Sequence, residues 1–103
     1  MQYIVIGYDG TDEHALERRL AVRAEHLALG DKLRDEGKLL YGAAMLTDSG
    51  QMKGSVLICE FSSREELDGW LAEEPYVTGD VWRKIEVMPC KVGPSFEHLK
   101  AVG

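Results

Sequence analysis

The chain has 103 residues, 45% hydrophobic and 29% charged, with a formal net charge of −6. That length supports one domain with a small core, and the acidic balance argues against nucleic acid or an anionic membrane surface as a partner. No run reaches the roughly 20 apolar residues of a membrane span, and the opening run Tyr3–Ile6 is too short for a signal peptide.

Gln2–Tyr8 is rich in β-branched and aromatic residues and predicts a first strand. Asp9-Gly10-Thr11-Asp12 breaks it, and Asp12 or Thr11 is placed to cap a helix running from Glu13 to Glu36. Gly37 then stands where a helix commonly ends in a left-handed residue. Within this helix Leu16, Leu20, Ala24 and Leu27 form one apolar flank, and Val22, Leu29 and Leu33 another. The arc between them is expected to face the interior, yet it carries Arg19, Arg23 and His26, with Gly30 beside them. Buried charge must be paired, hydrogen-bonded or held in a wet cleft. The polar trio therefore marks a candidate site, whereas Gly30 is expected to serve close helix–sheet packing.

Leu39–Leu46 predicts a second strand, Thr47–Lys53 a hairpin connection and Gly54–Phe61 a third strand. In the third strand Leu57, Cys59 and Phe61 share one face while Val56 and Ile58 share the other, so both faces need cover. Ser63 and Glu66 have capping-box spacing ahead of a second helix with Leu67, Trp70 and Leu71 on one stripe, closed by Pro75. Arg83–Val92 predicts a fourth strand in which Pro89 favours a sheet edge. The stretch from residue 93 to 103 reads as a loose tail outside a domain spanning 1–92.

The order strand, helix, strand, strand, helix, strand predicts an α+β, ferredoxin-like βαββαβ fold. Its four-stranded antiparallel sheet has the first and third strands central and both helices on one face. One chain covers only one face of such a sheet. The apolar outer face of the third strand then predicts a partner sheet, most simply from a second copy.

The stretch Leu16-Glu-Arg-Arg-Leu-Ala-Val-Arg-Ala-Glu-His-Leu27 resembles the signature helix of the YCII-related (YciI-like) family. The opening strand ending in Asp9, Glu36-Gly37-Lys38-Leu39-Leu40, Gly54-Ser55 and Pro75-Tyr76-Val77 follow in that family's order, so the resemblance covers residues 1–92. It implies a homodimer built face to face as a dimeric α/β barrel, and a pocket centred on a His/Asp pair that falls on His26 and Asp9. It also implies an enzymatic role, since a relative removes chloride from a chlorinated hydroxyhydroquinone. Gly42-Ala43-Ala44 and Pro89-Cys90 depart from the family's usual Ala-Gly-Pro and Pro-Phe, which points to a different pocket wall.

The residues themselves support the same chemistry. A carboxylate such as Asp9 on one imidazole nitrogen of His26 fixes the tautomer and makes the other nitrogen a general base or acid. Arg19 or Arg23 is suited to hold a small anionic ligand bidentately. Ser55 and Tyr76 are candidate pocket-lining, substrate-binding residues. The plainer alternative makes His26 a satisfied core histidine, Asp9 a helix cap and Arg23 a partner for a carboxylate across a dimer. Trp70 and Trp82 read as core or interface, and His14 and His98 as surface. No histidine or cysteine pair has metal-ligand spacing, and Gly7-Tyr8-Asp9-Gly10 lacks the third glycine of a dinucleotide fingerprint, so neither metal nor cofactor is expected. Cys59 and Cys90 read as reduced thiols of a cytoplasmic protein. Three functions fit: a cofactor-independent lyase, isomerase or dehydrohalogenase acting on a small aromatic or oxo-acid; a small-molecule binding or sensing module; and a structural homodimeric accessory protein.

Overall fold

The computed structural model of the chain describes residues 1–99. The last four residues of the predicted tail, and the side chain of His98 expected at the surface, lie outside the described residues. The elements run β1 (Gln2–Asp9), α1 (Ala15–Asp35), β2 (Leu39–Leu46), β3 (Met52–Glu60), α2 (Arg64–Leu71), α3 (Pro75–Thr78) and β4 (Trp82–Cys90), followed by a 3₁₀ turn at Pro94–Leu99. The sheet is antiparallel in the order β2-β3-β1-β4, so β1 and β3 are central, the arrangement of a ferredoxin-like domain. Pro89 lies on β4, an edge strand, where its missing N–H costs no inner ladder bond.

Strand alternation sets the two faces. Tyr3, Val5, Gly7 and Asp9 of β1 point under the helices and alternate with Ile4, Ile6 and Tyr8 on the other side. The core joins Tyr3, Val5, Leu57, Cys59 and Phe61 to Leu67, Trp70, Tyr76, Val81 and Trp82. Gly7 is required by close approach, because a methyl there would run into the Trp82 indole. The opposite face has no helix on it. Ile4 pairs with Ile58, Ile6 with Val56 and Tyr41 with Ile58, which builds an apolar surface on which Tyr41 is 56% exposed.

β3 and β4 shift by one or two residues from expectation, to Met52–Glu60 and Trp82–Cys90, and the two helical segments differ for local reasons. α1 begins at Ala15 because the preceding turn is closed by Asp12, whose carbonyl accepts from Ala15 N at 3.1 Å and whose side chain accepts from His14 N at 3.2 Å. It ends as expected before Gly37 (φ 76°), with Lys38 N donating to Leu33 O at 2.8 Å. The second helical segment is not one helix closed by Pro75. It stops at Leu71, and Pro75 instead opens the separate turn α3, where a residue lacking an N–H suits the first helical position. Glu66 N donates to Ser63 Oγ at 3.1 Å as the capping box requires, but the Glu66 carboxylate reaches Ser62 rather than Ser63.

Candidate functional site

A cleft of about 310 Å³ lies between α1 and the β2–β3 half of the sheet. Arg19, Arg23, His26, Ser55 and Tyr76 line it together with apolar residues that include Leu27, Leu39 and Leu57. Five of the six residues singled out from the sequence therefore meet at one place. The sixth, Asp9, reaches it through Arg19.

The pairing within the site differs from the expected one. Asp9 closes β1 facing inward, and both its oxygens accept from Arg19 Nη1, at 3.0 and 3.1 Å. Arg19 Nη2 donates to Ser55 Oγ at 2.9 Å. Arg19 is only 3% exposed, so the arginine expected to hold an anion is already neutralised by a buried carboxylate. Burial pushes the Asp9 carboxyl above its ordinary value, and the charge and hydrogen bonds of Arg19 pull against that rise. Asp9 makes no hydrogen bond to His26 among the described residues, which corrects the expected direct His26–Asp9 pair.

His26 takes its carboxylate from Glu74, through an Nδ1–Oε1 hydrogen bond. Glu74 is 1% exposed, and its Oε1 also accepts from Tyr76 N at 3.3 Å, so one buried oxygen caps α3 and anchors the imidazole. An ionised Glu74 carboxylate only accepts, which puts the hydrogen on Nδ1 and, in the neutral ring, leaves Nε2 a lone pair. Nε2 makes no hydrogen bond among the described residues, while the ring lines the cleft. The imidazole also stacks on Tyr76 at 3.8 Å and 11°, and meets the Trp82 ring edge-on at 6.1 Å. The Arg19 guanidinium carbon sits 4.6 Å from the Tyr76 centroid.

Arg23 does not share the burial expected of its arc. It is exposed at the cleft, with no hydrogen bond or ion pair among the described residues. Gly30 also lines the cleft, and a methyl there would touch Leu39 only at 3.5 Å, so it leaves pocket space instead of sealing a tight packing contact. The flank residues Leu20 and Leu27 are 53% and 45% exposed. Glu74 escaped the sequence-based expectations, whereas Trp82, expected in the core or an interface, is buried in the core and meets the imidazole edge-on. The signal for Glu74 was its position one residue before a proline at a helix start, where an acidic side chain caps. No group of three or more His, Cys, Asp or Glu placed to hold a metal occurs among the described residues, and no helix there is long and apolar enough to cross a membrane.

The architecture and the cleft define a ferredoxin-like α+β domain with a polar pocket under its first helix. The family model of the YCII-related domain matches residues 1–91, and the chain belongs to that family. Protein YciI of Escherichia coli O6:H1 is 38% identical over 97 residues, covering 88% of this chain and 97% of that protein. An uncharacterised protein of Haemophilus influenzae is 32% identical over the same span. Among solved structures, 5-chloro-2-hydroxyhydroquinone dehydrochlorinase from Burkholderia phenoliruptrix, in complex with 2,5-dihydroxybenzoquinone, matches with a TM-score of 0.78 and 26% identity. It covers 92% of this chain and 98% of its own. An antibiotic biosynthesis monooxygenase shares the fold, with a TM-score of 0.51 and 19% identity over 90% of this chain and 98% of its own.

Proposed function

We propose that the chain is an enzyme that uses only its own side chains to move a proton on a small oxygenated ring or oxo-acid, as a lyase, isomerase or dehydrohalogenase does. The observation that carries this is His26, a residue lining the cleft, held at Nδ1 by the buried Glu74 while Nε2 makes no hydrogen bond among the described residues. An imidazole oriented by a carboxylate is a general base or acid near neutral pH. Asp9 serves this chemistry at one remove: it fixes Arg19, which with Ser55 forms the floor beneath Tyr76. Arg23, exposed and unpaired, is the cation that receives the ligand's negative charge.

The likeness to a dehydrochlorinase solved with a dihydroxybenzoquinone supports a small oxygenated ring as ligand. The uncovered apolar face of the sheet supports a homodimer, with Ile4, Ile6, Val56, Ile58 and Tyr41 packing on the same residues of a second copy. Two free cysteines, one buried and one half-buried, support a reducing, cytoplasmic location.

Deuterium exchange tests the reading for any reaction that begins with loss of a substrate proton. The protein is incubated in heavy water with hydroxylated quinones, phenols and oxo-acids, and loss of substrate C–H signals is followed by NMR. Exchange is expected with one of these classes, falling about 10²- to 10⁴-fold in His26→Ala. A compound that binds in the cleft with no exchange in the wild type makes the protein a binding module instead.

A further inference from the structure

Tyr76 carries a hydroxyl that the fold does not use. The residue is 1% exposed. Its ring is fixed by the His26 imidazole and the Arg19 guanidinium, and its backbone N–H by Glu74. Oη nonetheless has no hydrogen-bond partner among the described residues. Nor is it one of the unpartnered polar atoms sealed from solvent there, which are Arg19 Nε, Trp70 Nε1 and Trp82 Nε1. Tyr76 is one of the residues lining the cleft, so the unpartnered and not fully sealed oxygen belongs to a residue at the cleft. A buried tyrosine normally sets its hydroxyl against a partner, and here the cleft beside His26 is the surrounding left to it.

We infer that the Tyr76 hydroxyl is a catalytic hydrogen-bond donor: it binds the substrate oxygen on which negative charge collects as His26 Nε2 takes the neighbouring proton. This rests on the proton-transfer reading above and narrows its substrate to planar carbonyl compounds that carry a proton on the carbon beside the carbonyl. In the step, the substrate C–H bond breaks and an N–H bond forms on Nε2. The electron pair moves through the adjacent carbon onto the oxygen, and the Tyr76 proton stays on Tyr76, shared with the new oxyanion. Donors already aimed at developing charge in a dry site stabilise it without reorganisation. The near-parallel stack holds the imidazole and the phenol ring side by side, with 3.8 Å between centroids, and both residues line the cleft. Burial pushes the Tyr76 phenol up, against the pull of Arg19 and Arg23, so it keeps its proton at neutral pH.

The test uses 4-nitrophenol and ring-substituted relatives of graded acidity, whose absorbance reports the ionised form, with nitrobenzene as a control lacking the oxygen. Tyr76→Phe keeps the ring and its stack, and it removes no hydrogen bond within the protein, so its melting temperature should match the wild type. It is expected to bind the nitrophenolates about 10- to 100-fold more weakly, the usual effect of losing one hydrogen bond to a charged group. It should also lose the dependence of affinity on oxygen basicity, while nitrobenzene binds both proteins equally. Equal nitrophenolate affinities in the two proteins would overturn the inference, while deuterium exchange would still decide the role of His26 separately. Failure of the wild type to bind any nitrophenolate at millimolar concentration overturns the inference whether or not exchange occurs.

Discussion

Glu74 and His26 are 48 residues apart and joined by one hydrogen bond, from the imidazole Nδ1 on α1 to the carboxylate at the start of α3. The same carboxylate oxygen caps α3 through Tyr76 N, so the base of the cleft and the helix that supplies the Tyr76 ring share a single anchor. Glu74→Gln keeps the shape of that anchor but removes its charge. Proton transfer measured by substrate deuterium exchange is expected to fall about 10- to 100-fold, the scale seen when the group orienting a histidine is altered. The melting temperature should drop by less than in Glu74→Ala, which also strips the cap. Exchange unchanged in Glu74→Gln would remove the carboxylate from the chemistry.

Asp9 and Arg19 form a buried pair, and removing one partner leaves the other charge uncompensated. Arg19→Met is expected to cost about 3–5 kcal/mol of stability by denaturant titration. Asp9→Asn should cost at least as much, because it strands the buried Arg19 guanidinium, which cannot shed its charge, whereas an Asp9 left without Arg19 can take up a proton. If both variants unfold at the wild-type midpoint, the pair contributes nothing to the fold.

Ile58 stands mid-strand on the helix-free face, opposite Ile4 on one side and Tyr41 on the other. In a face-to-face homodimer Ile58→Asp buries a carboxylate without a counterion, at a cost of several kcal/mol. Sedimentation should show a wild-type dimer at micromolar concentration and a variant shifted to monomer. A monomeric wild type would leave the apolar face without the partner assigned to it.

Arg18 grips Asp12 with two hydrogen bonds of 2.7 and 2.8 Å and donates from Nε to Asp80 O at 3.1 Å. This ties the turn after β1 to the turn before β4. Those bonds hold the Asp12 carboxyl well below its ordinary value of 3.8. A depressed folded-state value means the contribution is present above the unfolded value and lost as pH falls toward the folded one. Wild-type stability should therefore decline on acidification below about pH 4. Asp12→Asn should flatten that decline while being less stable at neutral pH. An identical acid limb in both proteins would contradict the assignment.

The strand order, the central places of β1 and β3, and the inward arcs carrying Arg19, Arg23, His26 and Ser55 were legible, because period-2 and period-3.6 patterns fix which side chains share a face. Tyr76 was only a candidate by its place after Pro75. The partner of His26 was not legible. Sequence offered Asp9 as the nearest carboxylate, but α1 runs back over the sheet from the Asp9 end, rising about 1.5 Å per residue. Arg19, in the second turn of α1, meets Asp9 first, whereas His26 lies roughly 10 Å further along that axis. There it faces α3, an element that the expected single helix closed by Pro75 had concealed. The same misreading hid Glu74. Arg23 reaches the cleft as expected but is exposed there, because the interior arc of α1 opens at that point.

If His26 is a base poised by Glu74, its ring nitrogens report it directly. Long-range ¹H–¹⁵N correlation on ¹⁵N-histidine-labelled protein above the imidazole titration should show His26 as the Nδ1–H tautomer, with an unprotonated Nε2. Nε2 should then shift selectively when a phenolate ligand enters the cleft, and Glu74→Gln should disturb the tautomer. An Nε2–H tautomer in the wild type, or ligand binding that leaves Nε2 unmoved, would contradict the account.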